Sequence, residues 1–423
     1  MSRRIIPVLL TFCLSIGGLF GISAQAKETV PKKDCYPIVF VHGMGGWGDG
    51  APINGIMPHW GMTAGSVKDY LNGEGYECYA ASVGPISSAW DRACELYAQI
   101  TGTRVDYGAA HAAVHHHDRY GEDYGKPLVP GWNAKERKLH LIGHSFGGAT
   151  ARLFAQLCEK GSAAERAATP AGELSPEGGL SPLFSGKLKG RIASITTLGA
   201  PHNGSTASEP NVGGINVFAT VFKAMMVMGE IVPLQGDIIP FRLGHFGISF
   251  KSFWRTPWNV ASTYKNFIEG SDNVFADTNI DGAAALNKTI QCLPGITYFS
   301  YAAQMSHDDG KGNQVPNDGM SFLFKSASKA MGLKHEPYRT AGDVLIDDQW
   351  LPNDGLVNVI SARYPFNEPH KTYNGKNIKT GVWQLMPMIE SWDHFDFGGG
   401  QSIGGAEGVM EFYLALVQML EKI

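Results

Sequence analysis

Ser145 is the residue whose surroundings point most directly to chemistry. It is the middle residue of the pattern G-x-S-x-G, spelled by Gly143–Gly147. An apolar run, Leu139–Ile142, precedes the pattern and a helix-forming run follows it, which predicts a strand, a sharp turn and a helix. Glycines leave room for the strained turn that lifts a serine hydroxyl above the carboxyl edge of a parallel sheet. We therefore interpret Ser145 as a nucleophile, with a purely structural glycine-rich turn as the alternative.

Two loops near the end of the chain carry the residues that such a serine needs. A serine hydroxyl requires a base, and the base requires a carboxylate that orients it. With a nucleophile on this kind of turn, the aspartate and then the histidine follow the serine along the chain. His394, which precedes the final helical pattern, is the candidate base, and Asp354 is the candidate acid. Asp354 also fits a plain N-D-G turn, and Asp347 and Asp348 compete with it for the role.

The oxyanion that forms when a serine attacks a carbonyl needs two backbone N–H donors. One is expected from Phe146, directly after the serine, and the other from a loop that follows an early strand. The apolar run Val39–Val41 and the His42–Gly43 pair after it supply such a loop, with Met44 as the donor.

A second group of residues has metal-ligand chemistry. Asp91 is followed by His111 and by a cluster of histidines and one aspartate in His115–Asp118. Imidazoles and carboxylates together bind divalent ions such as zinc. His111 and His115 are spaced to share one helix face, whereas a bend is needed to bring His117 beside His111. A metal site and a solvated polar loop are both compatible with this spacing.

These groups need a scaffold that brings distant loops together. Short apolar runs of strand length alternate with helical patterns, which predicts an α/β fold with a mainly parallel central sheet and helices on both faces. The strand-like runs are Ile38–Val41, Leu139–Ile142, Ile192–Thr197, Thr297–Tyr301 and Leu356–Ile360, and the clearest helical patterns are Ala149–Glu159 and Val409–Glu421. We find no internal repeat and no low-complexity linker that would divide the chain.

The first residues have the pattern of a secretory signal. Two arginines precede the apolar run Ile5–Ile22, and Ala24–Ala26 has the small-x-small form of a cleavage site. We expect residues 1–26 to be removed after Ala26, which leaves a secreted protein; an uncleaved membrane anchor is the alternative. No later segment free of charge reaches membrane-spanning length.

Composition narrows the expected partners and the cysteine chemistry. The net charge is −4, 17% of the residues are charged and no basic run occurs, so we do not expect a nucleic acid partner. Of the 6 cysteines, all but Cys13 follow the signal, and none forms a C-x-x-C pair. Neither a zinc ribbon nor a disulfide framework is therefore indicated, but one disulfide of unknown connectivity is compatible with these five cysteines.

Longer stretches resemble a known family. The similar stretches are residues 37–48, Val83–Glu95 (V-G-P-I-S-S-A-W-D-R-A-C-E), Val105–Ala113 (V-D-Y-G-A-A-H-A-A), Thr196–Gly204 and Ile346–Trp350. They resemble the thermoalkalophilic bacterial lipases and, more distantly, the staphylococcal lipases, from about residue 36 to residue 420. The resemblance implies an α/β-hydrolase fold, hydrolysis of carboxylic esters, and a zinc-bearing insertion under a helical lid.

The resemblance also assigns roles to individual residues. The family's nucleophile, acid and base fall on Ser145, Asp354 and His394. Its zinc ligands fall on Asp91, His111, His117 and Asp272. Asp277 is the rival of Asp272 for the fourth position. Four protein ligands would make this zinc a structural ion that holds an insertion outside the central sheet in place, not an ion that activates water.

Some positions depart from the family. Gly143 stands where the thermoalkalophilic lipases usually have alanine, and Met44 and Phe146 stand where they have phenylalanine and glutamine. Because backbone N–H groups stabilise the oxyanion, these changes should alter the acyl pocket more than the reaction.

The family also has a calcium site near the catalytic histidine. Gly319 and Asp396 fall on two of its positions, whereas Gln401 replaces an acidic ligand. Losing one carboxylate weakens a site for a hard cation. Calcium is therefore the weaker of the two metal predictions.

The segment expected to form the lid is more apolar than a surface helix needs. Val217–Met228 has Lys223 as its only charged residue, and its methionines can adapt to irregular acyl chains. By resemblance this segment belongs to a lid region of about 205–280, within one hydrolase domain of residues 27–423 whose zinc-site insertion covers about 88–125. An ordinary buried helix is the alternative.

The sequence therefore predicts a secreted, zinc-containing serine carboxylic-ester hydrolase of the triacylglycerol lipase type. Such an enzyme forms an acyl-enzyme and acts on a lipid or ester substrate at an oil–water or polymer interface. A short-chain carboxylesterase or polyester hydrolase, an acyltransferase, and a non-catalytic lipid-binding protein are the alternatives. The sequence leaves the oligomeric state open.

Overall fold

A parallel sheet of 7 strands lies at the centre of the part of the chain that this computed structural model describes. That part comprises residues 32–132, 136–169, 179–209, 240–248, 263, 265–400 and 408–423. In chain order its strands are β1 (Ile38–Val41), β2 (Cys78–Ala81), β3 (Arg104–Asp106), β4 (Tyr120–Asp123), β5 (Leu139–His144), β6 (Ile192–Leu198), β7 (Thr297–Tyr301), β8 (Ser306–Asp308), β9 (Gln314–Pro316), β10 (Tyr338–Arg339), β11 (Leu345–Ile346), β12 (His370–Thr372) and β13 (Trp383–Leu385).

The strand order of the sheet is β12-β13-β7-β6-β5-β1-β2, and each neighbouring pair is parallel. Ile38 of β1 pairs with Cys78 of β2 on one side and with His140 of β5 on the other. Because β1 and β5 lie beside each other, the loops at their carboxyl ends meet. The predicted α/β fold with a mainly parallel sheet is confirmed.

Alternating side chains of β1 build two separate cores. Ile38 and Phe40 belong to a buried cluster on one face of the sheet, and Val39 and Val41 belong to a buried cluster on the other. Successive side chains of a strand point to opposite faces, so a strand that is apolar at every position must be covered on both.

Helices cover both faces of the sheet, as the sequence predicts. In chain order they are α1 (Val67–Gly73), α2 (Ala89–Thr101), α3 (Ala109–His115), α4 (Gly147–Lys160), α5 (Ala163–Ala168), α6 (Val274–Thr278), α7 (Ile280–Thr289), α8 (Phe322–Met331), α9 (Val359–Arg363) and α10 (Val409–Leu420). Leu96 of α2 and Leu153 of α4 join the cluster on the Val39 face. Leu71 of α1 and Leu416 of α10 join the opposite cluster.

The chain leaves the sheet between β2 and β5. This excursion contains α2, an antiparallel pair formed by β3 and β4, and α3. Helix α2 begins at Ser88, whose Oγ accepts a hydrogen bond from the N–H of Asp91 over 3.2 Å. It ends at Gly102, whose φ of 70° suits a helix stop. These signals define where α2 starts and stops along the chain.

The predicted strand Leu356–Ile360 is wrong. The chain turns after Asp354, and helix α9 follows. The turn forms because Oδ1 of Asp354 accepts hydrogen bonds from the N–H groups of Leu356 and Val357, over 3.0 and 2.7 Å. The same two apolar side chains are buried in a cluster with Phe324, so their hydrophobicity reflects core packing and not a strand.

The structure also bears on the cysteines, on membrane-spanning helices and on the predicted signal peptide and lid. The cysteines after the predicted signal are free thiols, at Cys35, Cys78, Cys94, Cys158 and Cys292. Within the described ranges, no helix is long and apolar enough to cross a membrane. The predicted signal peptide, residues 1–26, and the predicted lid helix, Val217–Met228, lie outside the described residues, so both stay predictions.

Candidate active site and metal centre

Ser145 stands on a strained turn between β5 and α4. Its φ is 55°, in the left-handed region that side chains other than glycine rarely adopt. A side chain at Gly147 would place its Cβ 2.0 Å from the carbonyl oxygen of Val41, and one at Gly143 would approach Gly147 to 2.6 Å. Only glycines therefore allow the turn to close so tightly. The geometry is the one that the motif predicts for a nucleophile.

Asp354 and His394 meet near Gly199, the residue that follows β6. His394 Nδ1 lies 2.9 Å from Asp354 Oδ2. The backbone N–H of His394 also donates a hydrogen bond to the backbone carbonyl of Asp354, over 2.9 Å. Both side chains are buried. Since the carboxylate accepts at Nδ1, the ring carries its proton there and Nε2 remains as the acceptor that a general base needs.

The competing aspartates are occupied elsewhere. Asp347 Oδ1 accepts a hydrogen bond from the N–H of Gln349 over 3.0 Å and so caps a short 3-10 turn, Asp348–Trp350. Asp348 is exposed. Of the candidates, the structure brings Asp354 to the histidine.

His144 joins the histidine loop to the serine turn. Its Nε2 donates to the carbonyl of His394 over 2.9 Å, and the two rings lie 4.9 Å apart between centroids. No hydrogen bond joins the hydroxyl of Ser145 to the imidazole of His394, two side chains that the structure describes. Such contacts are often long in a ligand-free enzyme and tighten when substrate binds.

The glycine-rich loop after β1 lies directly against the serine. A Cβ built on Gly43 would be 2.6 Å from the Cβ of Ser145, so no other residue fits this approach. The N–H groups of Met44 and Phe146 donate no hydrogen bond within the described part of the chain. Two free donors beside a nucleophile are what a developing oxyanion requires.

Three side chains of the excursion and one from the segment before α6 converge on one point. Each of them offers a ligand atom, and these atoms lie within 4.8 Å of one another; the residues are Asp91, His111, His117 and Asp272. His111 Nε2 is 3.3 Å from Asp91 Oδ1 and 3.1 Å from Asp272 Oδ2. His117 Nε2 is 3.2 Å from Asp272 Oδ2. Asp91 Oδ1 and His117 Nε2 are buried and, despite these close contacts, make no hydrogen bond of good geometry. A group of two imidazoles and two carboxylates with such atoms can hold a divalent metal ion.

A bend after α3 brings the two histidine ligands together. His116 ends the helix with a φ of 58°, which turns the chain back so that His117 reaches the ring of His111. Glu165 holds the other end of α3, because its carboxylate accepts hydrogen bonds from the N–H groups of Ala110 and His111, each over 2.9 Å. The bend that the sequence requires is present.

The structure also separates the two aspartates that the sequence leaves as rivals. Asp272 points into the metal-ligand group. Asp277 instead accepts a hydrogen bond from the N–H of Ala89 over 2.7 Å, at the start of α2. Burial raises the pKa of Asp277 to about 7. Asp277 therefore anchors the helix that carries Asp91, and it is not part of the group.

His245 is a site residue that sequence reasoning missed. Its Nε2 lies 2.9 Å from Asp91 Oδ2, whereas His111 Nε2 contacts the other oxygen, Oδ1. Its ring stacks on Tyr107 with centroids 4.1 Å apart. His245 sits alone in a short turn far along the chain, so no spacing pattern could have pointed to it.

The calcium prediction rests on residues that the structure describes only in part. Asp396 is buried, and its Oδ2 accepts a hydrogen bond from the N–H of Asp393 over 2.7 Å. Gly319 is half-buried, whereas Gln401 lies outside the described residues. Calcium binding stays a prediction.

The fold and this geometry define the class of the protein. A serine on a strand–turn–helix junction at the carboxyl edge of a parallel sheet, with a histidine and an aspartate on later loops, is the arrangement of the α/β hydrolases. Residues 34–422 match the family model described as "Lipase-like, C-terminal domain". The chain belongs to this family.

Similar proteins agree with this membership. "Lipase 2" of Staphylococcus aureus is 36% identical over 419 residues, which cover 95% of this chain and 57% of that relative. The chain thus spans little more than half the length of this relative. The crystal structure of Staphylococcus hyicus lipase has 30% identity and a TM-score of 0.78, and covers 93% of this chain and 96% of that one. EstA from Clostridium botulinum has 32% identity and a TM-score of 0.77, with 94% and 90% covered.

Proposed function

We propose that this protein is a serine carboxylic-ester hydrolase of the triacylglycerol lipase type. In this reaction Ser145 attacks the ester carbonyl while His394 takes its proton, and Asp354 holds the imidazolium that forms. The N–H groups of Met44 and Phe146 stabilise the tetrahedral oxyanion. The alcohol then leaves with the proton from His394, and a water molecule activated by the same imidazole releases the acid.

One observation carries this proposal. The 2.9 Å contact between His394 Nδ1 and Asp354 Oδ2 leaves Nε2 as the acceptor of the ring. His144, the residue before Ser145, ties the loop of His394 to the serine turn. A binding protein gains nothing from a base oriented by a buried carboxylate next to a strained serine. The names of the similar proteins, several of which are called lipases, support the same reaction.

The metal in this proposal is a structural zinc ion. Asp91, His111, His117 and Asp272 would hold it, and four protein ligands leave no position for a reacting water. When bound, zinc would supply a cross-link between α2, α3 and the segment before α6. The buried carboxylate and imidazole atoms Asp91 Oδ1 and His117 Nε2, which make no hydrogen bond of good geometry to their close neighbours, support a cation there.

The setting of the reaction is also part of the proposal. A signal peptide of residues 1–26 would deliver the hydrolase domain, residues 27–423, to the outside of the cell, where an oil–water or polymer surface presents the ester. The apolar segment Val217–Met228 would act as a lid whose opening exposes an apolar surface to the substrate.

The direct test compares two ester substrates. Wild type and Ser145→Ala are assayed with p-nitrophenyl butyrate and with emulsified triolein, and thermal unfolding checks that the variant is folded. We expect wild type to cleave both substrates and Ser145→Ala to cleave neither. Cleavage of butyrate alone would make the protein a short-chain esterase, and activity of the folded wild type on neither substrate would favour a lipid-binding protein.

A further inference from the structure

Arg92 is a fully buried arginine in the middle of the fold. It follows Asp91 on α2, and none of its surface is exposed. A guanidinium keeps its charge at neutral pH. A buried cation is costly unless its N–H groups are all used, so its partners indicate what it does.

The partners of Arg92 come from three segments around the serine. Its Nη2 donates to the carbonyl of His42, and its Nη1 donates to the carbonyls of Gly43, over 3.4 Å, and Gly84, over 2.8 Å. Its Nε donates to Thr150 Oγ1 over 2.8 Å. The guanidinium thus ties the loop after β1 to the loop after β2 and to the first turns of α4.

One of these bonds acts on the peptide that carries an oxyanion donor. The carbonyl of Gly43 and the N–H of Met44 belong to the same planar peptide, so they point in opposite directions. The imidazole of His42 donates from Nδ1 to the same carbonyl over 2.8 Å, because its Nε2 accepts the N–H of Val83 over 3.2 Å. Two donors on the carbonyl hold the peptide plane and strengthen the N–H on its other side as a donor.

The same guanidinium also contacts Phe146, the residue that carries the second donor. It lies 5.2 Å from the ring centroid of Phe146, within the range of a cation–π contact. Thr150, which accepts from Arg92, donates in turn to the carbonyl of Phe146 over 3.3 Å. Arg92 therefore touches both segments from which the oxyanion donors come.

We propose that Arg92 is the positioning residue of the oxyanion hole, which it builds by holding the Gly43–Met44 peptide against the first turn of α4. This inference rests on the proposed ester hydrolysis and assigns a residue to it. Arg92 acts through the backbone and does not touch the substrate. Its planar fork, which reaches several carbonyls at once, is what lysine cannot reproduce.

The test is the variant Arg92→Lys, which keeps the charge and loses the fork. We expect kcat for p-nitrophenyl butyrate to fall about 100-fold with KM unchanged. A displaced oxyanion donor weakens a hydrogen bond that forms only in the transition state, so binding of the substrate itself is not affected. The affinity for butylboronic acid, whose boron forms a tetrahedral adduct with the serine Oγ, should fall by the same factor. A purely structural role would lower the thermal midpoint and leave both values of the folded protein unchanged.

Arg152→Lys is the matched control. Arg152 is also buried, at 4% exposure, and its Nη2 donates to Asn287 Oδ1 over 2.9 Å, away from the loop after β1. We expect this variant to keep the wild-type kcat and boronate affinity. If Arg92→Lys does not fold, Thr150→Val leaves Arg92 in place and removes the acceptor of its Nε. We expect a loss of about tenfold in kcat and in boronate affinity from that variant.

The outcomes separate this inference from the function on which it rests. Wild-type hydrolysis that Ser145→Ala abolishes, together with wild-type kcat and boronate affinity in folded Arg92→Lys or Thr150→Val, would overturn the role of Arg92 alone. Absence of hydrolysis and of boronate binding in the wild type would overturn the proposed function and the inference with it.

Discussion

His394 Nδ1 lies 2.9 Å from Asp354 Oδ2, although 40 positions separate the two residues along the chain. The other carboxylate oxygen, Oδ1, is held by the N–H groups of Leu356 and Val357. Because both oxygens are engaged, the carboxylate cannot rotate away from the ring. The pair is therefore a rigid support for one tautomer and one orientation of the imidazole.

The variant Asp354→Asn tests this support. An asparagine can present its NH₂ group where the carboxylate accepted, so the imidazole takes the wrong tautomer. We expect kcat for p-nitrophenyl butyrate to fall about 10³- to 10⁴-fold. Asp347→Asn, which alters the cap of a 3-10 turn, should keep the wild-type kcat. An Asp354→Asn variant that kept a tenth of the activity would show that the assigned acid is wrong.

Loss of one metal ligand should remove the metal and lower stability. In His117→Ala we expect the bound zinc, about one per chain in the wild type, to disappear from elemental analysis. The thermal midpoint should fall, since a ligand present at about 1,000 times its Kd contributes about 4 kcal/mol to the folded state. His115→Ala is the matched control, because His115 is a near neighbour of His111 but not a member of the ligand group. Equal metal content in the two variants would contradict the site.

His245, which contacts the ligand Asp91, should strengthen zinc binding without contacting the ion itself. In His245→Phe the ring can still stack on Tyr107, but the N–H that holds Asp91 Oδ2 is gone. Partners of this kind typically change metal affinity 10- to 100-fold, so we expect zinc to bind that much more weakly in a competition titration with a chromophoric chelator. The zinc affinity of His245→Gln, whose amide restores an N–H donor, should lie between those of the wild type and His245→Phe. A wild-type affinity in His245→Phe would exclude this role.

Buried histidines should make the fold sensitive to acid. Burial lowers the pKa of His140 from 6.5 to about 3. Between about pH 3 and pH 6.5 the imidazole of His140 binds a proton in the unfolded chain but not in the folded chain. The free energy of unfolding is therefore highest above about pH 6.5 and falls as the pH decreases toward 3. His140 accounts for at most about 1.4 kcal/mol per pH unit of this fall.

Urea unfolding at pH 5 and pH 8 measures this effect. We expect the difference in the free energy of unfolding between the two pH values to be smaller in His140→Gln than in the wild type. The exposed His307 provides the control, because His307→Gln should keep the wild-type difference. If all three proteins showed the same difference, the contribution of His140 would be refuted.

Local patterns explain why much of the fold could be predicted. The bounds of β1 and β7 agree with the predicted runs, because strands covered on both faces favour the β-branched and aromatic side chains that these two runs contain. Ser145 was recognisable for a similar reason, since the strand, the glycines and the helix lie next to each other in the sequence. The prediction of a strand at Leu356–Ile360 is wrong because an apolar segment of that length fits a buried turn followed by a helix as well as it fits a strand.

The sequence by itself thus determined the α/β class, the strained serine turn and the residue types of both candidate sites, because each depends on neighbours along the chain. Only the tertiary structure decided between Asp272 and Asp277 and brought His245 and Arg92 to their sites. The two aspartates lie within a few residues of each other, and packing alone selects which one faces His111. Contacts between residues far apart in the chain leave no local pattern, so the physical reason for each becomes visible only when the chain is folded.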